Sequence, residues 1–387
     1  MNSVLFYHTT PFLPHHLGVL LDEAVISHNR GDVVSFAVCD GLMDMCFCNP
    51  NKNPNLCKVC KQMTRKAVKK LPKSIKVIKL SKYKKYIENK EYVFDYSSVS
   101  DIKRIEYKGC KIGYSTLSAY ITKTRNCSPK INTEFKFYFD SLLTQACALT
   151  DVLDVLYEEV SPSMACLFNG RFYEHRPFFD LAVQKGINAK IFEVVGGYGE
   201  PYHKVCFDNI TPHNIKGYYD KVDRLWQDKQ NDLDIKISVG RSFFENRRKG
   251  RPACDVVYTA NQEMGCLPVD WNANKTNIVI FNSSEDEFAS VGDEYEKLAF
   301  FRSQIEGIKT ILSLTKEEKN IHYYLRIHPN LSKIKYRYHT DLLGLGKTYD
   351  NVTVIPGTVV SASATPVALP KLSYKYKCVE YTPASPL

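Results

Sequence analysis

Two short stretches carry side chains suited to phosphate and proton chemistry. Tyr324-Leu325-Arg326-Ile327-His328-Pro329-Asn330 reads as a buried strand that Pro329 halts, leaving a guanidinium and an imidazole at its carboxyl end. Ligands of open α/β sheets bind at that end. Arg326 offers a planar fork of donors that suits phosphate, and His328 can donate or accept near neutral pH. A surface arginine beside a packed histidine is the plainer alternative. The second stretch, Asn169-Gly170-Arg171-Phe172-Tyr173-Glu174-His175-Arg176-Pro177, follows the apolar run Met164-Ala165-Cys166-Leu167-Phe168. Two cations, a carboxylate and an imidazole in nine residues favour a binding loop over a plain connector.

The elements that must position these groups follow an α/β pattern. Ser3 to Tyr7 predicts a strand, His16 onward a helix closed by Gly31-Asp32, and Val33 to Val38 a second strand. Tyr92 to Tyr96 reads as a strand, and Lys111 to Ser115 as a short extended piece entering a helix. Phe139, Leu142, Leu143, Ala146, Leu149, Leu153, Leu156 and Val160 form one helical stripe, which is core packing. The strand at Met164–Phe168, a helix from Phe178 to Lys185 and a strand at Ala189–Val195 make a βαβ unit around the cationic loop. After a helical stretch at Asp220–Asp234 and a linker at Asn261–Lys275, the pattern repeats. Asn277–Phe281 is a strand, Leu298–Leu314 a helix, and Asn351–Ile355 a strand beyond the one carrying His328. Two doubly wound, Rossmann-like domains are expected, over residues 1–260 and 276–357, the second incomplete. Residues 358–387, rich in proline and without helical period, are expected to be an irregular tail. Gly346-Lys347-Thr348 ends like a phosphate loop but lacks its first glycine, and Gly196-Gly197-Tyr198-Gly199 lacks a dinucleotide fingerprint's spacing. Both read as turns.

The chain carries thirteen cysteines and a net charge of +10. Met1-Asn2 runs directly into the first strand, so no export signal is read and the thiols are expected to stay reduced in the cytoplasm. Cys46-x-Cys48 and Cys57-x-x-Cys60 could close a tetrahedral structural zinc site; free thiols are the alternative. No apolar run is long enough to span a bilayer. Between Arg65 and Lys90 stand eleven Lys/Arg against the single acid Glu88. Such a run fits an anionic membrane surface or nucleic acid, or a merely solvated face. With Tyr83 and Tyr86 as its aromatics, nucleic acid is the weaker fit.

Taken together, His16-x-Gly18 with Leu21-Asp22-Glu23, the cysteine cluster, Phe168-Asn169-Gly170-Arg171, Phe281-Asn282-Ser283-Ser284-Glu285-Asp286-Glu287 and Arg326-Ile327-His328-Pro329-Asn330 identify a resemblance. The chain resembles the bacterial capsule and surface-polysaccharide glycosyltransferases of the two-domain GT-B fold, from about residue 1 to about 357. The resemblance implies a cytoplasmic enzyme, peripheral at the inner membrane, that moves a sugar from a nucleotide-sugar donor to a lipid-linked glycan acceptor with no cofactor required for catalysis. Arg326, His328, Asn330, Ser283 and Ser284 would hold the donor phosphate. His16, Gly18, Asn169 and Arg171 would bind acceptor or substrate, and Glu174, His175, Glu23 or Asp22 would serve as general base. Related chains continue past the third strand with a helix and a Phe-Gly-Ser segment. This one departs near Gly357, which is expected to reflect truncation and impaired activity. A sugar-nucleotide epimerase of the same fold, or a zinc-stabilised basic nucleic-acid-binding protein, are the alternatives.

Overall fold

The structure is a computed structural model that describes residues 2–195, 203–228, 232–248, 267–357 and 376–380. The chain divides into two compact units, Met1–Tyr218 with Ser290–Asp293, and Tyr219–Ala289 with Glu294–Leu387. Both are α/β, with sheets that are parallel but for one strand.

In the first unit, β1 (Ser3–His8), β2 (Val33–Val38), β3 (Lys76–Lys79), β4 (Met164–Phe168), β5 (Asn188–Val195) and β6 (His203–Asp208) form one sheet ordered β3-β2-β1-β4-β5-β6. The chain builds outward from β1 through β2 to β3, then returns to lay β4 on the other side of β1. That reversal makes the carboxyl ends of β1 and β4 the switch point of the sheet. The register pairs Phe6 with Phe36 and with Cys166, so one face carries a continuous apolar layer. Only β6 runs antiparallel.

Helices α1 (Pro14–Asn29), α2 (Pro54–Val68), α3 (Val99–Lys103), α4 (Ile112–Thr124), α5 (Thr133–Val160), α6 (Arg176–Gln184) and α7 (Ile215–Gln227) follow in chain order. Pro14 and Pro54 occupy first-turn positions, where a missing N–H costs nothing. The stripe on α5 is buried as expected except at its last member, Val160, and the helix starts at Thr133, after Asn132, whose side chain accepts from Phe135 N–H. Buried Asp151 on α5 draws together the long segment before α4. It accepts from Lys90 at 2.7 Å and Tyr92 at 2.9 Å, and pairs with Lys108 at 2.8 Å. Tyr92–Tyr96 is therefore held by side-chain bonds to α5 and forms no strand.

In the second unit, α8 (Leu233–Arg248) precedes a sheet of β7 (Thr276–Phe281), β8 (Ile321–Arg326), β9 (Val352–Ile355) and β10 (Tyr376–Glu380), ordered β10-β7-β8-β9 and parallel throughout. The short helices α9 (Glu285–Phe288) and α10 (Asp293–Glu296) precede α11 (Gln304–Leu314) and α12 (Arg337–Thr348). Ser303 caps α11, so that helix begins after the expected Leu298. Gly346-Lys347-Thr348 ends α12 and is no turn. Ile280, Ile308, Leu312, Leu325 and Leu342 form the core of this half. Of the stretch expected to be an irregular tail, Tyr376–Glu380 adds a parallel strand beside β7, and the remainder lies outside the described residues. Gly196–Gly199 and residues 261–266 of the expected linker also lie outside them.

Candidate functional sites

The first cluster lies at the switch point of the six-stranded sheet. β1 ends in His8, and Thr9 and Thr10 follow; β4 ends in Phe168, and Asn169 to His175 follow. Asn169 (φ 62°) and Gly170 (φ 73°) both take left-handed backbone, which turns the chain sharply as it leaves β4. Arg171 N–H donates to Asn169 Oδ1 at 3.0 Å, and Arg171 Nε donates to Ser118 Oγ on α4 at 2.5 Å. Asn169 Nδ2 donates to Glu193 at the end of β5.

Three imidazoles meet here. The His16 ring stacks on Phe168 with centroids 3.7 Å apart. His8 and His175 lie 5.9 Å apart, and His175 Nε2 stands 3.4 Å from Thr9 Oγ1. Burial holds His8 at about 4, and burial together with the nearby His15 holds His16 at about 4. His175 is pushed well below its ordinary range by burial and by its two histidine neighbours. All three are neutral at pH 7. His8 donates through Nε2 to the Thr10 carbonyl, leaving Nδ1 as a buried acceptor with no protein partner among the described residues.

Glu174 is 2% exposed, and burial raises its carboxyl to about 7. Its Oε1 accepts from Phe47 N–H at 2.7 Å, and its carbonyl accepts from Tyr7 Oη at 2.6 Å. The Phe47 and Phe172 rings stack 4.8 Å apart. Glu174 therefore anchors the cysteine-bearing loop onto the loop after β4. Glu193 is partly exposed, and burial raises its carboxyl to about 7 as well.

His16, Asn169, Arg171, Glu174 and His175 come together at the strand ends, and Gly18 follows His16 by half a turn of α1. Glu23 does not join them. It lies about 10 Å further along α1 than His16, at 1.5 Å per residue, and pairs with Lys204 on β6. Arg176 is spoken for by Asp180, at 2.7 Å within α6. His8, Thr9, Ser118 and Glu193 were missed; the one available signal was the position of His8 and Glu193 at the ends of apolar strands.

Cys57 and Cys60 ride on α2, and Cys46 closes a tight turn with Asn49. Burial raises the thiols of Cys46, Cys48 and Cys60, the last to about 11, so these three are protonated at neutral pH. Among the described residues, no group of three or more His, Cys, Asp or Glu side chains is arranged to hold a metal ion.

The second cluster belongs to the other unit, at the carboxyl ends of β7 and β8. Arg326 is 5% exposed and donates from Nη1 to the Pro356 carbonyl at 2.5 Å, so its guanidinium ties β8 to the chain leaving β9. His328 N–H donates to Asn282 Oδ1 at 3.0 Å, and His328 Nδ1 accepts from Asn330 N–H at 3.1 Å. The imidazole proton is thereby placed on Nε2. Ser283 Oγ donates to Glu287 at 3.1 Å, and Asn330 Nδ2 reaches the same carboxylate at 3.5 Å. Ser284 Oγ donates to Asp286. Gln304 accepts from Ser283 N–H at 2.8 Å, and its own backbone N–H donates to Glu285 at 3.2 Å. The residues expected to bind phosphate do converge, but around a carboxylate-rich turn. His328 is the member whose bonding defines a donor. Asn282 and Gln304, absent from the expected set, are what hold the turn in place.

No protein-family model matches the sequence, and no curated protein does. Solved structures that overlap the chain include the UDP-GlcNAc 2-epimerase from Neisseria meningitidis bound to UDP-GlcNAc, at 9% identity and TM-score 0.26, covering 91% of this chain and 71% of that one. A CDPS from Fluoribacter dumoffii overlaps at 8% identity and TM-score 0.28, covering 54% of this chain and 90% of its own. The Leishmania major tyrosyl-tRNA synthetase in complex with tyrosinol overlaps at 10% identity and TM-score 0.28, covering 92% and 78%. Overlaps this loose carry no argument about activity.

Proposed function

We propose that this chain is a nucleotide-sugar-dependent glycosyltransferase acting on a lipid-linked surface glycan. The observation that carries the reading is the bonding of His328. It stands just past the carboxyl end of β8, with β7 and β9 on either side, and its Nδ1 is occupied by Asn330 N–H. The ring proton is thereby placed on Nε2, which makes that atom a donor. A preorganised donor of this kind stabilises charge that develops on a departing phosphate oxygen.

A hydroxyl acceptor must also lose a proton, and a base working near neutral pH needs a pKa close to 7. The neutral imidazoles at the switch point are poor bases by this measure, because burial holds them low. The two carboxyls raised to about 7, Glu174 and Glu193, suit the task. Glu193 is the more exposed of the two, while Glu174 positions the loop.

The test is a thermal-shift screen of the full chain against CMP-, UDP- and GDP-sugars, followed by incubation of the stabilising donor, labelled in its sugar, with glycan acceptors. Acceptor-dependent transfer that His328→Ala abolishes supports the reading. Conversion of the donor sugar without any acceptor would instead indicate an epimerase and sink it.

A further inference from the structure

We propose that the surface made by the outer side of α2, the turn after it and the edge strand β3 docks on an anionic lipid bilayer. This inference stands independently of the enzymatic reading. The structure separates the basic run into two kinds of cation. Lys82 is 2.6 Å from Glu159, Lys84 is 3.9 Å from Glu88, and Lys90 is 2.7 Å from buried Asp151. These are matched within the fold. Arg65, Lys66, Lys69, Lys70, Lys73, Lys76 and Lys79 are all exposed and form no ion pair among the described residues, and exposed Lys85 lies over the Tyr86 ring. The unmatched charge is therefore gathered on α2, the turn and β3.

The shape of α2 explains why this charge faces outward together. Ala67 and Val68, with Leu71 just beyond the helix, pack against the core that holds Val34 and Val38. The exposed side of the helix, four and seven residues on from Val59, carries Met63 and Lys66, and Lys70 follows in the turn just beyond it. Val59 is 46% exposed and Met63 38%. Val77 on the edge strand is 37% exposed between Lys76 and Lys79. Lysines on an edge strand also block pairing with another sheet, but that role does not account for the cations on α2.

Charge complementarity selects the partner. All of the unmatched cations but Arg65 are lysines, compact point charges that suit a diffuse negative surface better than bidentate phosphate reading. Exposed apolar side chains among them fit the headgroup layer of a bilayer. A nucleic-acid surface would need several stacking platforms, yet Tyr83 is buried, which leaves Tyr86 as the one exposed aromatic of the run, with the Lys85 ammonium 5.0 Å from its ring centroid.

Flotation of the full chain with vesicles tests this. Phosphatidylcholine vesicles containing phosphatidylglycerol should carry the protein upward, phosphatidylcholine alone should not, and high salt should release it. Each cation contributes roughly fivefold to partitioning, so Lys66→Glu, Lys69→Glu, Lys70→Glu and Lys73→Glu together should weaken it more than about 100-fold. These side chains are exposed, so the melting temperature should stay unchanged. Met63→Gln should also weaken binding, while Lys84→Gln should not. Binding to neutral vesicles as strong as to anionic ones, no binding to either, or full binding by the fourfold variant would overturn the proposal. So would a single-stranded RNA oligonucleotide that binds where anionic vesicles do not.

Discussion

The backbone N–H of Asn330 donates to Nδ1 of His328 at 3.1 Å. Pro329 between them enforces the turn that makes this bond, since its ring fixes φ near the value the turn needs. A local, two-residue bond thus sets the tautomer of an imidazole placed at the end of a parallel strand. If His328 Nε2–H donates to the leaving phosphate, His328→Ala removes a bond to a charged group worth about 1.5–3 kcal/mol, roughly a tenfold to hundredfold loss in nucleotide-sugar affinity. Titration calorimetry with the stabilising sugar nucleotide reads this directly. Unchanged affinity in the variant would remove His328 from the donor site.

Gly357 is confined by the same turn. A Cβ there would stand 2.9 Å from the His328 carbonyl oxygen and 3.0 Å from Pro329 Cα, both backbone atoms that cannot swing aside. Gly357→Ala should cost about 1–3 kcal/mol in urea unfolding, as overpacking does. Gly344, within α12, has open space where its Cβ would be. Gly344→Ala should stabilise by about 1 kcal/mol through helix propensity. Equal effects at the two positions would contradict the packing around His328.

Glu174 makes a prediction about pH. Its carboxyl titrates at about 7 when folded and near 4.5 when unfolded, so the folded chain holds the extra proton between those values. Stability contributed by this group therefore falls as pH rises through that window, by at most about 1.4 kcal/mol per pH unit. Glu174→Gln can still accept from Phe47 N–H and has no proton to lose. Urea melts should show the variant gaining on the natural chain from about pH 4.5 to pH 7. Parallel curves would mean that the folded carboxyl is already ionised.

The histidines predict the opposite slope. His16 titrates at about 4 when folded and near 6.5 when unfolded, so its contribution is intact above pH 6.5 and is lost as pH falls toward 4. His16→Phe preserves the stack on Phe168 but cannot take up the proton. Its stability should decline less steeply than the natural chain's over that range, by about 1.4 kcal/mol per pH unit. An unaltered acid slope in the same melts would show that His16 is not held neutral.

Much of the architecture was legible in the order of residues. The apolar runs at β1, β2, β4, β5, β7, β8 and β9, separated by helical stripes, determine an α/β sheet by periodicity alone. β3 and β6 were not legible. Lys76-Val77-Ile78-Lys79 and His203–Asp208 are edge strands with too few buried residues to show a pattern, and pairing with a neighbouring strand is what makes them strands.

The candidate sites divide along the same line. Position at a strand end was determined by sequence for His328, Asn169 and Arg171, because a proline, or an asparagine and glycine at positive φ, stops the strand locally. The work each side chain does was decided by the tertiary structure. Glu23 pairs with Lys204, 181 residues away, and Glu174 meets Phe47, 127 residues away. Arg326 is bound to the carbonyl of Pro356 and is buried with it. No local pattern encodes such partners, because hydrogen bonds and burial depend on which strands become neighbours. Charge and chemistry are written in the residues; desolvation, and the pKa values and bonding it imposes, exist only once the sheet has closed around them.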